Sequence, residues 1–343
     1  MHRTHYKNQG GAVHSYGLLP YLNTTAWTFS AIRPEGGEKM SNKAAKTKVK
    51  KKYNIPGYLF ILPSVLFFLF YILYPIGFVG WSSLFSWSTL KNMTFVGMEN
   101  YIRIFQDKVF LTTMRNSLFW IITTVPIQAG IGFFLAYIIE EQLRKGRGIF
   151  RTVFFLPVVT SVVVVAIVWG KMLQPYQGII THYLSVLGIG GQVNILGMPG
   201  TAIFGCIIAN IWEWTGWSMI MYVAGMSQIS EDMKEAAKID GATRWKEIIY
   251  IYFPSLASTH KSLLMLGIIG SLQTFGLIYT MTGGGPNPAS EMPGTYIFQS
   301  GFTNQQMGYA SALSVVILLF ALVLTVFQVK GLGAGEFMRK EAD

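Results

Sequence analysis

Six apolar runs, each near or above 20 residues, confine this chain more tightly than any other feature. They cover roughly residues 57–80, 111–139, 151–173, 201–226, 259–281 and 307–329. At 1.5 Å of rise per residue, about 20 helical residues cross a hydrocarbon core of about 30 Å. Inside that core the backbone must satisfy its own hydrogen bonds, and a helix does so within one segment. The sequence therefore predicts an all-α, polytopic membrane protein with about six transmembrane helices. Composition agrees, because only 13% of the residues are charged where soluble domains carry about a quarter. Pro63, Pro75, Pro126 and Pro157 fall within or near run ends, where neighbouring helices can satisfy the backbone groups that prolines free.

The net charge of +11 does not point to nucleic acid. Its cations cluster beside the apolar runs: Lys43, Lys46, Lys48, Lys50, Lys51 and Lys52, then Arg144, Lys145, Arg147 and Arg151. Such clusters hold cytoplasmic ends and meet anionic headgroups of the bilayer. They place the N-terminus, loop 140–150, segment 227–258 and the C-terminal tail inside. Loops 174–200 and 282–306, which lack Lys and Arg, lie outside. Loop 81–110, also outside, departs slightly with Lys91, Arg103 and Lys108.

The lone Cys206 permits neither an internal disulfide nor a Cys-based metal site. A packing role suits it. His182 and His260 lack spaced partners, so no metal site is expected. Residues 1–39 have neither a signal-peptide core nor a clear amphipathic period. Codons for Glu35–Lys39 can spell a ribosome-binding site ahead of an ATG at Met40. The expected organisation is thus a non-native or disordered leader, 1–39, and a basic cytoplasmic stretch, 40–56. A transmembrane domain, 57–330, and a cytoplasmic tail, 331–343, follow.

Between the fourth and fifth runs lies EAAKIDGATRWKEIIYIYFPSL, Glu235 to Leu256. Ser230 is a candidate N-cap, with Glu231 and Asp232 in the first turn, where the helix dipole favours anions. Ala236 and Ala237 leave one face shallow enough for another protein to approach. Gly241 then breaks the helix, a short helix resumes over Arg244–Tyr252, and Pro254 marks re-entry towards the membrane. Residues 230–254 so form a two-helix elbow at the cytoplasmic mouth. On charge pattern alone, an interfacial helix without a partner fits equally well.

Glu235-Ala236-Ala237, Asp240-Gly241-Ala242 and the closing Pro254 resemble the EAA loop of bacterial ABC importer permeases. FVGMENYIRIFQD (95–107), GRGIFRTVFFLPVVTSVVVVAIVW (146–169), IYTMTGGGP (278–286) and GYASALSVV (308–316) extend the resemblance to the binding-protein-dependent sugar permeases. That group contains the larger maltose permease subunit. The resemblance covers about Tyr53 to Gly331 and implies the ABC importer type I permease fold in a bacterial cytoplasmic (inner) membrane. It also implies a second homologous permease subunit, a dimer of ATP-binding subunits, an extracytoplasmic solute-binding protein and a sugar substrate. By resemblance, Glu235, Ala236, Ala237, Asp240 and Gly241 engage the ATPase. Tyr252-Phe253-Pro254 replaces the family's frequent Thr-Leu-Pro, and Ile248 stands where an aromatic is usual. With no Walker A sequence here, no cofactor belongs to this chain; ATP and Mg are bound by the partner ATPase.

A sugar site needs aromatic faces against C–H surfaces and hydrogen bonds to hydroxyls. IWEWTGW offers Trp212, Trp214 and Trp217 around Glu213, and Trp214 and Trp217 are the first candidates. An aromatic belt at the membrane interface is an equal reading. Gly267, Gly270, Ser271 and Thr274 share one helix face, with Gln273 beside them. The glycines suit helix packing, whereas Ser271, Gln273 and Thr274 suit solute contact. Glu213, an acid deep in a run, should pair with Lys171 or meet a sugar hydroxyl. An ion-coupled secondary transporter is the alternative function, but it would usually need more than one intramembrane acid. The glycine-rich Thr282–Pro288 reads as a sharp external turn.

Overall fold

The first apolar run forms two helical segments, α1 (Ile55–Phe68) and α2 (Tyr74–Ser82), joined by a wide π turn over Leu69–Leu73. These features come from a computed structural model that describes residues 55–188 and 194–331. The leader, most of the basic stretch and the tail lie outside the described residues. The π turn ends just before Pro75, whose ring would clash with the carbonyl four residues back in a tight α-turn. Widening the turn there makes room. A small antiparallel hairpin follows, β1 (Phe85–Ser86) with β2 (Thr94–Phe95), pairing Phe85 with Phe95 and Ser86 with Thr94. Asn100, on α3 (Glu99–Gln106), clamps it by donating to the carbonyls of Ser83 at 2.8 Å and Phe85 at 3.1 Å.

Asp107 starts α4 (Lys108–Tyr137) by accepting the N–H of Val109 at 2.8 Å, so its carboxylate answers two needs of a helix start. After α4 and a π turn over Ile138–Gln142, the third run divides into α5 (Arg147–Val159) and α6 (Val162–Met172). These halves are bent by 94°, where a single span over 151–173 is the sequence expectation. Thr160 and Ser161 take extended dihedrals, and Val162 beyond them lines a cavity. Irregular backbone at membrane depth is tolerated in such a place. A short helix, α7 (Ile179–Val186), precedes α8 (Ala202–Met226), which matches its apolar run almost residue for residue.

The elbow comprises α9 (Glu231–Ile239), α10 (Arg244–Glu247), a π turn over Ile248–Tyr252 and α11 (Phe253–Ser255). This π turn also lies just ahead of a proline, Pro254. The fifth run is broken like the third: α12 (Ala257–Leu272) stops and α13 (Gly276–Met281) resumes three residues later. The short α14 (Pro293–Phe298) and the final span α15 (Met307–Gly331) complete the chain. By length and apolarity alone, three helical stretches pass as spans among the described residues, or four with the bent pair. The fourth and fifth runs fall short because α8 carries polar groups and α12 has only 16 residues.

Helices in lipid gain little from burying apolar surface against one another, so close approach and packing decide their association. Gly132 brings α4 onto α8: a Cβ there would lie 2.6 Å from the Cβ of Ser218. Gly216 brings α8 onto α5, with the Phe154 carbonyl oxygen 2.1 Å from where a Cβ would sit. An inner cluster joins Phe133, Tyr137, Met219, Tyr222, Ile248, Tyr252 and Leu256, seating the elbow on α4 and α8. Another, with Trp120, Trp169, Cys206, Leu277 and Ile278, gathers α6 and α13 around the other half of α8. Cys206 is buried there as packing.

Candidate functional site

Where the third and fifth spans break, α4, α8 and α12 leave a cavity of about 500 Å³, within the ordinary range for small-molecule sites. Trp214 and Trp217 line it from α8, each still substantially exposed at 42% and 37%. Asn210 and Glu213 share their side of the helix, one turn apart. Gln128 of α4 donates to the Asn210 side-chain oxygen at 2.9 Å and to its backbone carbonyl at 3.1 Å. Ser271, Gln273 and Thr274 line the cavity from the break after α12. The Ser271 hydroxyl donates to the Gly267 carbonyl at 2.7 Å, which leaves its oxygen as an acceptor.

The two glycines of α12 differ. A Cβ at Gly267 would stand 2.9 Å from Val125, so this glycine serves close helix packing. A Cβ at Gly270 would meet nothing within 4 Å; this glycine holds the cavity open. The aromatic cluster divides as well. Trp212 lies outside the cavity lining, edge-on to Trp169 at 5.9 Å and half exposed.

The elbow presents a second surface. Glu235, Ala236, Asp240 and Gly241 are exposed, and Ala237 is buried. Ile239, 86% exposed, stands at the end of α9 with Trp245 and Tyr250 nearby in sequence and also exposed. Ser230 has N-cap dihedrals but makes no capping bond through its side chain. The end of α9 is closed firmly instead. Gly241 has φ +68° and donates to the Lys238 carbonyl at 3.1 Å, while Ala242 donates to that of Ala237 at 2.9 Å. Those two bonds with a left-handed residue make a Schellman motif, which favours glycine strongly. Lys234 ties α9 to the end of the second span through Glu141 at 3.0 Å and also meets Glu231 at 3.0 Å. Burial works against the Lys234 ammonium, but these carboxylates prevail and raise its pKa.

Residues 118–330 match the family described as "Binding-protein-dependent transport system inner membrane component". The chain belongs to this family. It is 33% identical over 282 residues to the probable ABC transporter permease protein YurN of Bacillus subtilis, covering 81% of this chain and 96% of that one. It is also 32% identical over 295 residues to the trehalose/maltose transport system permease protein MalF of Thermococcus litoralis (85% and 98% covered). Among solved structures, a bacterial ABC transporter involved in the import of the acidic polysaccharide alginate matches with TM-score 0.72 at 26% identity. That match covers 82% of this chain and 96% of the other. The fold is therefore that of an ABC importer permease, an integral transport subunit of the inner membrane.

In this permease all six residues singled out for the path, Glu213, Trp214, Trp217, Ser271, Gln273 and Thr274, border one cavity. Trp120, Gln128 and Asn210 border it too and escaped the sequence reading. Asn210 had a signal: it lies one turn before Glu213 and Trp214 on the same face. The Glu213–Lys171 pair is not formed. Glu213 is 3% exposed, and its buried Oε2 has no hydrogen-bond partner. Lys171 lies at the far end of α6, beyond the bend. His260, also without a spaced partner in sequence, is a joint: Nδ1 meets the Tyr222 hydroxyl at 2.7 Å and Nε2 the Phe253 carbonyl at 3.0 Å. It links α8 to the elbow. On another part of the fold, Asp107 accepts from the hydroxyls of both Tyr296 and Tyr309, joining the start of α4 to α14 and α15. Burial would raise the Asp107 pKa, but these hydroxyls and the N–H groups of Val109 and Phe110 hold it below the usual carboxylate value.

Proposed function

We propose that this permease forms, with a second homologous subunit, the path for a carbohydrate delivered by an extracytoplasmic binding protein. The solute is a mono- or oligosaccharide, and a separate dimer of ATP-binding subunits supplies the energy. The observation that carries this reading is the cavity. It offers tryptophan rings that can lie against the C–H face of a sugar ring, together with amide and hydroxyl groups that can take up its hydroxyls. The trehalose/maltose relative supports the same class of solute.

Glu235, Ala236, Ala237, Asp240 and Gly241 are the proposed contact to the ATPase, which binds ATP and Mg in place of this chain. Ile239 adds an apolar projection beside them. Force applied there passes through the π turn and α11 into α12, whose other end carries Ser271 and the cavity rim. The His260 joint couples the same movement to α8. The basic clusters support an orientation with both termini in the cytoplasm, which puts the elbow on the side where ATP is available.

The test is uptake into vesicles holding this permease with its partner subunits, with ATP inside and every ion gradient collapsed. Sustained uptake supports the reading. Loss of uptake on collapsing the gradient, with ATP still present, would favour an ion-coupled transporter instead.

A further inference from the structure

The helix α9, which carries Glu235 and Ala236, is lightly held. Ala237 is its one buried residue, and among the described residues it packs extensively on no span. A helix so placed keeps its direction through its two ends and through the side chains that tie it down. Lys234, next to Glu235, is such a tie. Its side chain is only 12% exposed, and its ammonium stands 3.0 Å from Glu141 Oε1 and 3.0 Å from Glu231 Oε1. The Glu231 side chain is 75% exposed, and exposed pairs contribute little. Glu141 is 25% exposed, so its bond is the stronger of the two. The ring of Tyr252 lies 6.0 Å from the same ammonium, at the outer reach of a cation–π contact.

Glu141 belongs to the π turn that ends the second span. Glu140, beside it in sequence, holds Arg151 of α5 at 2.6 Å. Tyr137, one turn earlier, packs edge-on to Tyr252 at 5.1 Å. The far end of the Lys234 bond therefore rests on a footing fixed to two other elements. From there α4 runs back about 20 Å to Gln128, which lines the cavity and bonds to Asn210 of α8. We propose that the Lys234–Glu141 pair is a positioning strut that carries movement of α9 into the second span. The ATPase then drives the cavity wall through α4 as well as through α12. The inference rests on the ATPase contact of the proposed function and adds a second route to it. The two routes reach different linings of one cavity, Gln128 on α4 and Ser271 on α12.

The experiment uses the whole complex, this permease with its second permease subunit and ATPase, in proteoliposomes. All native cysteines, the buried Cys206 included, are replaced by serine. A bimane fluorophore is attached through Ala129→Cys, on the α4 side of the cavity, or through Gln273→Cys, at the end of α12. Its emission is compared without nucleotide and after trapping with ATP and vanadate, and ATP hydrolysis and co-purification of the ATPase are measured alongside. Lys234→Met and Glu141→Gln should each keep the ATPase attached and the nucleotide-free emission unchanged. Each should shrink the trapping response at Ala129→Cys about threefold or more, while Gln273→Cys keeps most of its response. The charge swap Lys234→Glu with Glu141→Lys should restore the response at Ala129→Cys. If Lys234→Met does not insert, Glu141→Gln carries the test.

A full response at Ala129→Cys in the single variants overturns the proposal, as does a charge swap that restores nothing. Equal losses at both positions overturn the second route. Loss of the ATPase from the complex overturns the strut too, because the pair then serves docking. Each of these results leaves the ATPase contact standing. A complex with Lys234 and Glu141 intact that shows no response to trapping at either position overturns that contact, and the proposal with it.

Discussion

Gly241 offers a test of the elbow whose size can be worked out in advance. With φ at +68° it sits where an L side chain is disfavoured, by about 1–2 kcal/mol. A Cβ placed there would meet nothing within 4 Å, so Gly241→Ala carries this backbone cost and no steric one. At 1.36 kcal/mol per factor of ten, the closed turn becomes about tenfold scarcer against an open form. Gly241→Asn should lose less, because asparagine tolerates the left-handed region. Gly241→Pro is harsher. Its φ is fixed near −65°, and it cannot make the bond from the Gly241 N–H to Lys238. The assay is ATP-driven uptake in proteoliposomes per inserted subunit, with co-purification of the ATPase measured alongside. Uptake should fall in the order Gly, Asn, Ala, Pro, and the subunit should still insert. Wild-type uptake from Gly241→Pro would refute the claim that this turn transmits force.

Gly216→Ala would drive a methyl group into the Phe154 carbonyl, and overpacking of this kind costs about 1–3 kcal/mol. It should lower the unfolding temperature in detergent, whereas Gly270→Ala, facing open space, should leave it unchanged and alter solute affinity. Trp214→Ala should raise the apparent KM about fivefold, for a loss of about 1 kcal/mol; Trp212→Ala, outside the cavity, should leave KM alone. The Asp107 carboxyl titrates below its unfolded value of about 3.9. Its contribution to stability is therefore complete above that pH and is lost as the pH falls through the folded value. Thermal unfolding in detergent from pH 6 to pH 3 should show a steeper acid decline in wild type than in Asp107→Asn.

Periodicity carried most of what was legible in the chain. All six apolar runs begin and end within a few residues of helices or paired helix segments, and α8 shows that polar groups need not hide a span when its flanks are clear. The face shared by Ser271 and Thr274 was readable because residues three and four apart stack on a helix. The breaks were not readable as such. Thr160-Ser161 and Gln273-Thr274-Phe275 look like ordinary polar interruptions, and only packing against other helices decides whether the backbone turns there. Gln128 belongs to a different span from Asn210, so no spacing rule could bring them together. Lys171 was the nearest cation to Glu213 by sequence logic, but the 94° bend carries the end of α6 in a new direction.

Those two breaks also meet in space. The segments beyond them, α6 and α13, pack on each other, and Gly276 lets Val162 come within 3.1 Å of where its Cβ would be. At each break the backbone bonds of Thr160 to Pro157 and Val165 to Ser161, then of Thr274 to Ser271 and Tyr279 to Phe275, stay on their own side. The α6–α13 pair is thus joined to α5 and α12 by short non-helical links, while its buried side packs on α8. Val162, Phe275 and Gly276 all border the cavity. Any solute held in that cavity would therefore lie against both breaks at once.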